Sequence, residues 1–441
     1  MRAVWDSGQD RLVSGQERSS AIVVHEAWLP EEHPLHRPRH GGRQWIALSC
    51  ALVFFLAPFL AVAAGVEPEE FENRALAPAP SLASGWRFFT GFSTWATDRL
   101  PFRDSAVAAS DGLSRNVFRE PASFDGTMPV TAPEIAPDPP SPIVAQPSHG
   151  PGFPKVIEGS NGWLYFGYDV EAKCAPLRPL DETLAAVTRL RAAVERSGRR
   201  FVLVVPPDKS TAVPQHLPAR YAGQDCARAA TAEFWRRAVT EAGALDLRHD
   251  LRKAATTGPP IYHRLDTHWT DLGSLTMVRA LAEQIQPGVT SRWVARPERP
   301  GAYDADLPRL IGRTGWAEMQ QYSLAPDGRR DRTRPVETDL RAAVRYQSPP
   351  GPGMVTEPVA MLTDSFSLSA SRYLDATFSD LQVIYYSSAV TDIDAVIDVL
   401  RGGEVVVLEM VERNFAGGVP ELLNTPNVDH IVEQLGEHPI R

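Results

Sequence analysis

The stretch Val359-Ala360-Met361-Leu362-Thr363-Asp364-Ser365-Phe366 decides the fold. Four consecutive apolar residues that end in a polar turn describe a short strand buried on both faces. Similar runs recur at Phe201–Val205, closed by Pro206-Pro207, at Val383–Tyr386 and at Val405–Leu408, with a weaker one at Ala244–Leu247. Between them lie segments of helical period. Leu184, Val187, Leu190 and Val194 form one, with Asp181 as a possible N-cap and Gly198 as a stop. Leu272, Leu275, Val278, Leu281 and Ile285 form another. Strands alternating with helices predict an α/β layered domain around a mainly parallel sheet. No internal repeat is present.

Reactive groups on such sheets sit at the carboxyl ends of the strands. Ser365, in the turn after a buried strand, is therefore placed as a nucleophile. A helix starting just after it would offer backbone N–H groups to an oxyanion. The plain alternative is that Asp364 or Ser365 only caps that helix. About a hundred residues earlier stands Asp266-Thr267-His268-Trp269-Thr270. Asp266 could hold one imidazole nitrogen of His268 while the other faces a cleft. An Asp or Thr cap with a surface His is the alternative here. His263, Asp266 and His268 also carry metal-ligand atoms, but no further cluster has matching spacing, so no metal and no cofactor is expected. Lys209 follows another strand end, where it would contact an anionic or hydroxyl-rich ligand or pair structurally with Asp208 or a neighbour. Glu409 and Glu412-Arg413-Asn414 follow the strand Val405–Leu408 on the same sheet edge.

The chain has 441 residues and a net charge of −9. That length allows one large domain with appendages. The acidic balance argues against a nucleic-acid partner. Trp45 to Val66 is apolar and uncharged, about the ~20 residues that cross a bilayer as a helix. Arg37, Arg39 and Arg43 precede it and Glu67, Glu69 and Glu70 follow, which predicts a cytoplasmic N-terminus and an extracytoplasmic remainder. A cleaved signal peptide is the rival, given Ala61-Val62-Ala63. Cys50 lies within the apolar run. Cys174 and Cys226 remain in the exported part and are expected to pair, with two buried thiols as the alternative.

The expected organisation is a disordered cytoplasmic tail over 1–44 and an anchor over 45–66. A helical lead-in segment over 67–127 follows, then a proline-rich spacer or insertion over 128–156. The α/β domain spans 157–435, with a tail over 436–441. Met128 to Pro154 holds nine prolines, which excludes it from the core.

In order along the chain stand Glu72-Asn73-Arg74, Asp98-Arg99-Leu100-Pro101-Phe102-Arg103 and Gly159-Ser160-Asn161-Gly162-Trp163-Leu164-Tyr165. Val205-Pro206-Pro207-Asp208-Lys209 and Asp266-Thr267-His268-Trp269-Thr270 with Gly273 come next. Asp306-Leu307, Asp364-Ser365-Phe366 and Glu412-Arg413-Asn414 complete the series. Together they resemble the SGNH-hydrolase-like domain of the alginate O-acetyltransferase AlgJ/AlgX family, and the membrane-anchored J type more closely. The resemblance covers residues about 71 to 435. It implies a three-layer α/β/α sandwich, here preceded by one transmembrane helix. It implies Ser365 as nucleophile, His268 as base and Asp266 as its orienter. Lys209, Trp269, Asp364 and Arg413 would bind substrate or support the site. Thr363 is a departure, since the family usually has Gly there; it would tighten the nucleophile turn.

The implied activity is an extracytoplasmic O-acetyltransferase. It would pass an acetyl group through Ser365 to hydroxyls of a cell-surface or exported polysaccharide. A polytopic membrane-bound O-acyltransferase would be the donor partner. A carbohydrate acetyl-esterase, or a non-catalytic polysaccharide-binding scaffold, are the alternative readings.

Overall fold

Strands rich in Val, Leu and Ile, with no polar face, need cover on both sides. The computed structural model describes residues 42–64, the single positions 88, 92, 95, 109 and 113, and residues 152–440. Almost all of the expected tail, nearly all of the lead-in segment and most of the proline-rich stretch lie outside the described residues. The chain divides into two units, Met1–Phe102 and Arg103–Arg441, each taken by itself.

In the first unit, helix α1 spans Gly42–Ala63. Trp45, Ile46, Val53, Phe54, Phe55 and Leu60 on it are exposed, as is Cys50. Counted over the described residues, no helix is long and apolar enough to cross a membrane. The span expected over 45–66 is not met by that count.

Among the described residues of the second unit, the first strands are the hairpin β1 (Val156–Glu158) and β2 (Leu164–Phe166). Helices α2 (Tyr168–Cys174) and α3 (Leu180–Arg196) follow, then β3 (Arg200–Val205), α4 (Lys209–Ala212), α5 (Gln224–Thr240), β4 (Ala244–Asp246), α6 (Arg248–Thr257) and α7 (Asp271–Ile285). Four short strands come next: β5 (Val294–Pro297), β6 (Gly301–Asp304), β7 (Trp316–Met319) and β8 (Tyr322–Ala325), with α8 (Asp306–Leu310) between β6 and β7. The chain ends with β9 (Val344–Gln347), β10 (Val359–Thr363), α9 (Phe366–Thr377), β11 (Asp380–Tyr385), α10 (Ile393–Arg401), β12 (Val405–Glu409), α11 (Glu412–Ala416) and α12 (Thr425–Glu437).

The central sheet has six strands in the order β4-β3-β12-β10-β11-β9. Neighbours from β4 to β11 pair parallel, and β9 joins β11 antiparallel. The sheet is thus mixed through a single edge strand. Alternate residues of one strand face opposite ways, and the two cores follow that rule. Val359 and Met361 pack with Leu275, Val278 and Tyr373 of α7 and α9. Ala360 and Leu362 pack with Leu184, Val187, Phe234 and Val396 of α3, α5 and α10. Helices therefore cover both faces, as an α/β/α arrangement requires.

Two local expectations change. The helix α3 begins at Leu180 with Pro179 as its cap residue, and Asp181 lies in its first turn. There Asp181 accepts from Arg237 at 2.5 Å. The residues after 435 do not hang free: α12 continues to Glu437, and the Ile440 N–H donates to the Ser197 carbonyl at 2.8 Å. Cys174, at the end of α2, and Cys226, in the first turn of α5, are joined by a disulfide.

Candidate active site

Strand β10 delivers its last residues to the carboxyl edge of the sheet, and the segment 261–270 reaches the same place. An antiparallel bridge between Tyr262 and Trp269 folds that segment back on itself. His263 donates its N–H to the His268 carbonyl at 3.2 Å, and Thr270 donates to the Ile261 carbonyl at 2.9 Å. The tight turn between them projects Asp266 and His268 together. Asp266 Oδ1 lies 2.8 Å from His268 Nδ1 and accepts the His268 backbone N–H at 2.9 Å. His268 Nε2 lies 2.9 Å from Ser365 Oγ. The three residues form one continuous hydrogen-bonded line.

Electrostatics suits that line. Burial opposes ionisation of Asp266, but the hydrogen bond and charge of His268 hold its carboxyl well below the usual carboxylate range. Burial works against the imidazolium of His268, yet Asp266 and then Asp306 outweigh it, so its pKa is raised. The ring needs Nδ1–H toward Asp266 and a lone pair on Nε2 toward Ser365, the tautomer a general base requires.

Ser365 is half-buried and caps α9 with helical backbone angles. Asp364 shapes the turn around it. Its Oδ1 accepts the Phe366 N–H at 3.0 Å, and its Oδ2 accepts the Val411 N–H at 2.9 Å and the Tyr386 hydroxyl at 3.2 Å. Asp364 is thus a supporting residue, saturated by donors. Trp269 also supports: it is fully buried, and its indole N–H donates to the Phe366 carbonyl at 2.9 Å.

Lys209 points into the protein interior. It is fully buried, its ammonium donates to the carbonyls of Leu164, Arg264 and Asp266, and it lies 5.1 Å and 5.2 Å from the rings of Trp163 and Tyr165. Three carbonyls use all three of its donors. Burial pulls its pKa down to about 7 while Asp266, Asp306 and Asp169 pull the other way. Its partners are backbone carbonyls rather than Asp208. Asp208 instead accepts from Lys173 at 2.8 Å and Arg413 at 3.3 Å. Arg413 stands 5.2 Å from the Phe366 ring, which also lies 5.0 Å from the His268 ring. It connects the buried charges of α2 and α4 to the nucleophile turn.

Thr363 differs from its expected effect. It is fully buried, and its hydroxyl donates to Glu409 Oε2, which also accepts the Asp364 N–H at 3.1 Å and the Ser367 hydroxyl at 2.9 Å. The side chain points beneath the turn, so Thr363 braces the turn from below. Burial, then the charge of Asp364, pushes the Glu409 pKa well above its ordinary value.

Asp306 has no assigned role in the sequence, although Asp306-Leu307 is one of the fragments that carry the resemblance. The carboxylates of Asp266 and Asp306 and the His268 imidazole lie within 4.8 Å of one another, a spacing that could hold a cation. Both Asp266 oxygens and Asp306 Oδ1 already accept hydrogen bonds that a cation would displace. His263 is outside this group; its ring packs on Tyr303 at 4.2 Å.

With this geometry in place, comparison with known proteins is informative. Residues 156–367 match the family model described as "SGNH hydrolase-like domain, acetyltransferase AlgX". This part of the chain is therefore similar to AlgJ/AlgX-type SGNH-like domains. The matched span runs from β1 to the first residues of α9, so it includes Asp266, His268 and Ser365. The "Probable alginate O-acetylase AlgJ" of Pseudomonas aeruginosa is 31% identical over 141 residues, which is 31% of this chain and 34% of that protein. Its namesake in Pseudomonas syringae pv. tomato is 27% identical over 170 residues, 36% of this chain and 42% of that one. The chain thus matches well under two thirds of either relative. The structure of the "O-Acetyltransferase Domain of Pseudomonas putida AlgJ" covers 64% of this chain and 100% of its own, at 17% identity and a TM-score of 0.43.

Proposed function

We propose that this AlgJ/AlgX-type domain is an extracytoplasmic O-acetyltransferase that moves an acetyl group through Ser365 onto hydroxyls of a cell-surface or exported polysaccharide. The observation that carries the reading is the line Asp266–His268–Ser365, with spacings of 2.8 and 2.9 Å, inside a span that matches an acetyltransferase family.

In the first half-reaction Ser365 Oγ attacks the acetyl carbonyl, and its proton passes to His268 Nε2. The donor's leaving group takes that proton as it departs, leaving an acetyl ester on Ser365. In the second half a sugar hydroxyl gives its proton to His268 Nε2 and attacks the ester. Ser365 leaves, regaining the proton from His268. Asp266 keeps the ring in the right tautomer and stabilises the imidazolium formed in each half.

The oxyanion needs a backbone donor. The amides of Phe366, Ser367 and Leu368 are already used, donating to Asp364 Oδ1, the Asp364 carbonyl and the Ser365 carbonyl. Among the described residues the Ser365 amide has no acceptor, which makes it the candidate donor.

The acyl donor in this scheme is a polytopic membrane-bound O-acyltransferase. The test of the catalytic reading is Ser365→Ala. The variant should fold and lose polymer acetylation; retained acetylation would sink the proposal. Supplying an acetyl donor with and without an oligosaccharide acceptor separates transfer from hydrolysis. Acetate release that the acceptor does not divert would make the protein an esterase.

A further inference from the structure

Asp306 opens α8 beside the proposed base. Its Oδ1 accepts the Thr267 N–H at 2.8 Å, and its own N–H donates to Asp266 Oδ2 at 3.0 Å. Its Oδ2 lies 3.8 Å from His268 Nδ1. Two carboxylates therefore face one ring nitrogen, and backbone amides lock the two acidic segments together. Asp266, at 2.8 Å, takes the N–H. At 3.8 Å, Asp306 is beyond a hydrogen bond and acts on the ring through its charge.

We infer that Asp306 is a positioning residue for His268: a second, titrating carboxylate that adjusts how strongly the imidazole holds its proton. The inference rests on the reading of His268 and Ser365 proposed above. Asp306 is faced by Asp266 and His268 from the 261–270 segment, by Lys209 from α4, by Tyr303 from β6 and by Arg413 from α11. Burial, then the charge of Asp266, pushes its pKa up to about 6.

The consequence is a coupled pair. Above about pH 6 Asp306 is ionised and favours the imidazolium. Below that pH it takes a proton, its attraction for the imidazolium disappears, and His268 releases its own proton more readily. Each protonation weakens the other. The loss of free base on acidification is then spread over a wider pH range than one proton gives. His268 keeps part of its basic form at pH values where a lone imidazole with a raised pKa would be fully protonated.

The experiment uses the full chain. The rate at which phenylmethanesulfonyl fluoride modifies Ser365 is followed from pH 4 to 9 for the unaltered protein, Asp306→Asn and Ser365→Ala. The unaltered protein should show an acid limb shallower than a one-proton curve. Asp306→Asn keeps an oxygen for the Thr267 N–H but has no charge. Its limb should become a simple one-proton curve, with the upper midpoint lowered by about one unit. An Asp306→Asn profile that overlays the unaltered one overturns the inference. If that variant does not fold, the unaltered protein decides: a limb that fits a single proton overturns it as well. Equal modification of Ser365→Ala would show instead that Ser365 is not the reactive group, a failure of the underlying reading.

Discussion

The Trp269 indole donates its N–H to the carbonyl of Phe366 at 2.9 Å. Trp269 follows His268 and Phe366 follows Ser365, so the bond ties the neighbours of base and nucleophile across 97 residues of sequence. Both partners are fully buried, and their rings meet edge to face at 5.0 Å. The spacing between His268 Nε2 and Ser365 Oγ is held by this clamp.

Trp269→Phe keeps an aromatic ring and removes the donor. The buried Phe366 carbonyl would lose its side-chain partner, at a cost of about 1–3 kcal/mol. Acetyl transfer should fall at least ~10-fold, because a small misplacement of reacting groups is expensive. Thermal unfolding and transfer rate, measured side by side, check this. An unchanged rate would show that the clamp does not set the spacing.

Lys209→Met is expected to be more damaging than its distance from the reaction suggests. The carbonyls of Leu164, Arg264 and Asp266 would lose the ammonium that joins them, and only the Leu164 N–H to the Arg264 carbonyl, at 2.9 Å, would remain between those segments. The loss should be roughly 3 kcal/mol, the low end for removing one member of a buried charged arrangement. Chemical denaturation would measure it, and a variant as stable as the parent would contradict the bracing role.

Glu409 should tolerate Gln but not Ala. Burial, then the charge of Asp364, favours the neutral form of its carboxyl, so a neutral amide should present the same acceptor to Thr363, Asp364 and Ser367. Glu409→Gln should stay within ~1 kcal/mol of the parent, and Glu409→Ala should lose more than ~2 kcal/mol. A collapse of the Gln variant at pH 7 would mean that Glu409 is ionised.

Asp169 supplies a pH signature for stability. It is buried, lies 3.5 Å from Arg413, and burial followed by the charge of Asp208 raises its pKa to about 7. The folded chain thus binds this proton more tightly than the unfolded chain, whose carboxyl titrates near ~3.9. The stabilisation is complete below about pH 4 and is lost as pH rises through about 7. Asp169→Asn carries no such dependence, so its melting temperature relative to the parent should climb between pH 4 and 8. A difference that stays flat with pH would refute the assignment.

Much of this arrangement can be read from residues, for physical reasons. The runs at 201–205, 359–362 and 405–408 are strands buried on both faces, and such strands announce themselves as unbroken apolar runs. Strand β9 does not: Val344-Arg345-Tyr346-Gln347 has one neighbour, one half-exposed face and charge at its centre. The short hairpins between 294 and 325 are silent for the same reason. Within the site, Asp266 and His268 are two residues apart, so their chemistry is local and legible. Asp306 is 40 residues from Asp266 and arrives through two backbone hydrogen bonds, which residue identity does not encode. Lys209 shows the opposite case. Its charge suggests a ligand, while its burial among carbonyls depends on where a distant turn comes to rest. Thr363 stands out in the sequence only as a departure from the resembling family's Gly, and the fold is what brings its hydroxyl to Glu409.

The antiparallel strand β9 has a further consequence, for how copies of this molecule behave in each other's company. A sheet that ends in a long, flat, apolar strand invites a neighbouring chain to add its own. Here one border is β4, three residues long, and the other is β9, four residues long. The guanidinium of Arg345 on β9 is fastened to Asp380 at 2.9 and 3.1 Å, so a charged pair straddles that border. Neither margin offers a template of useful length. Molecules crowded side by side would meet through helices and loops, and their sheets would stay separate.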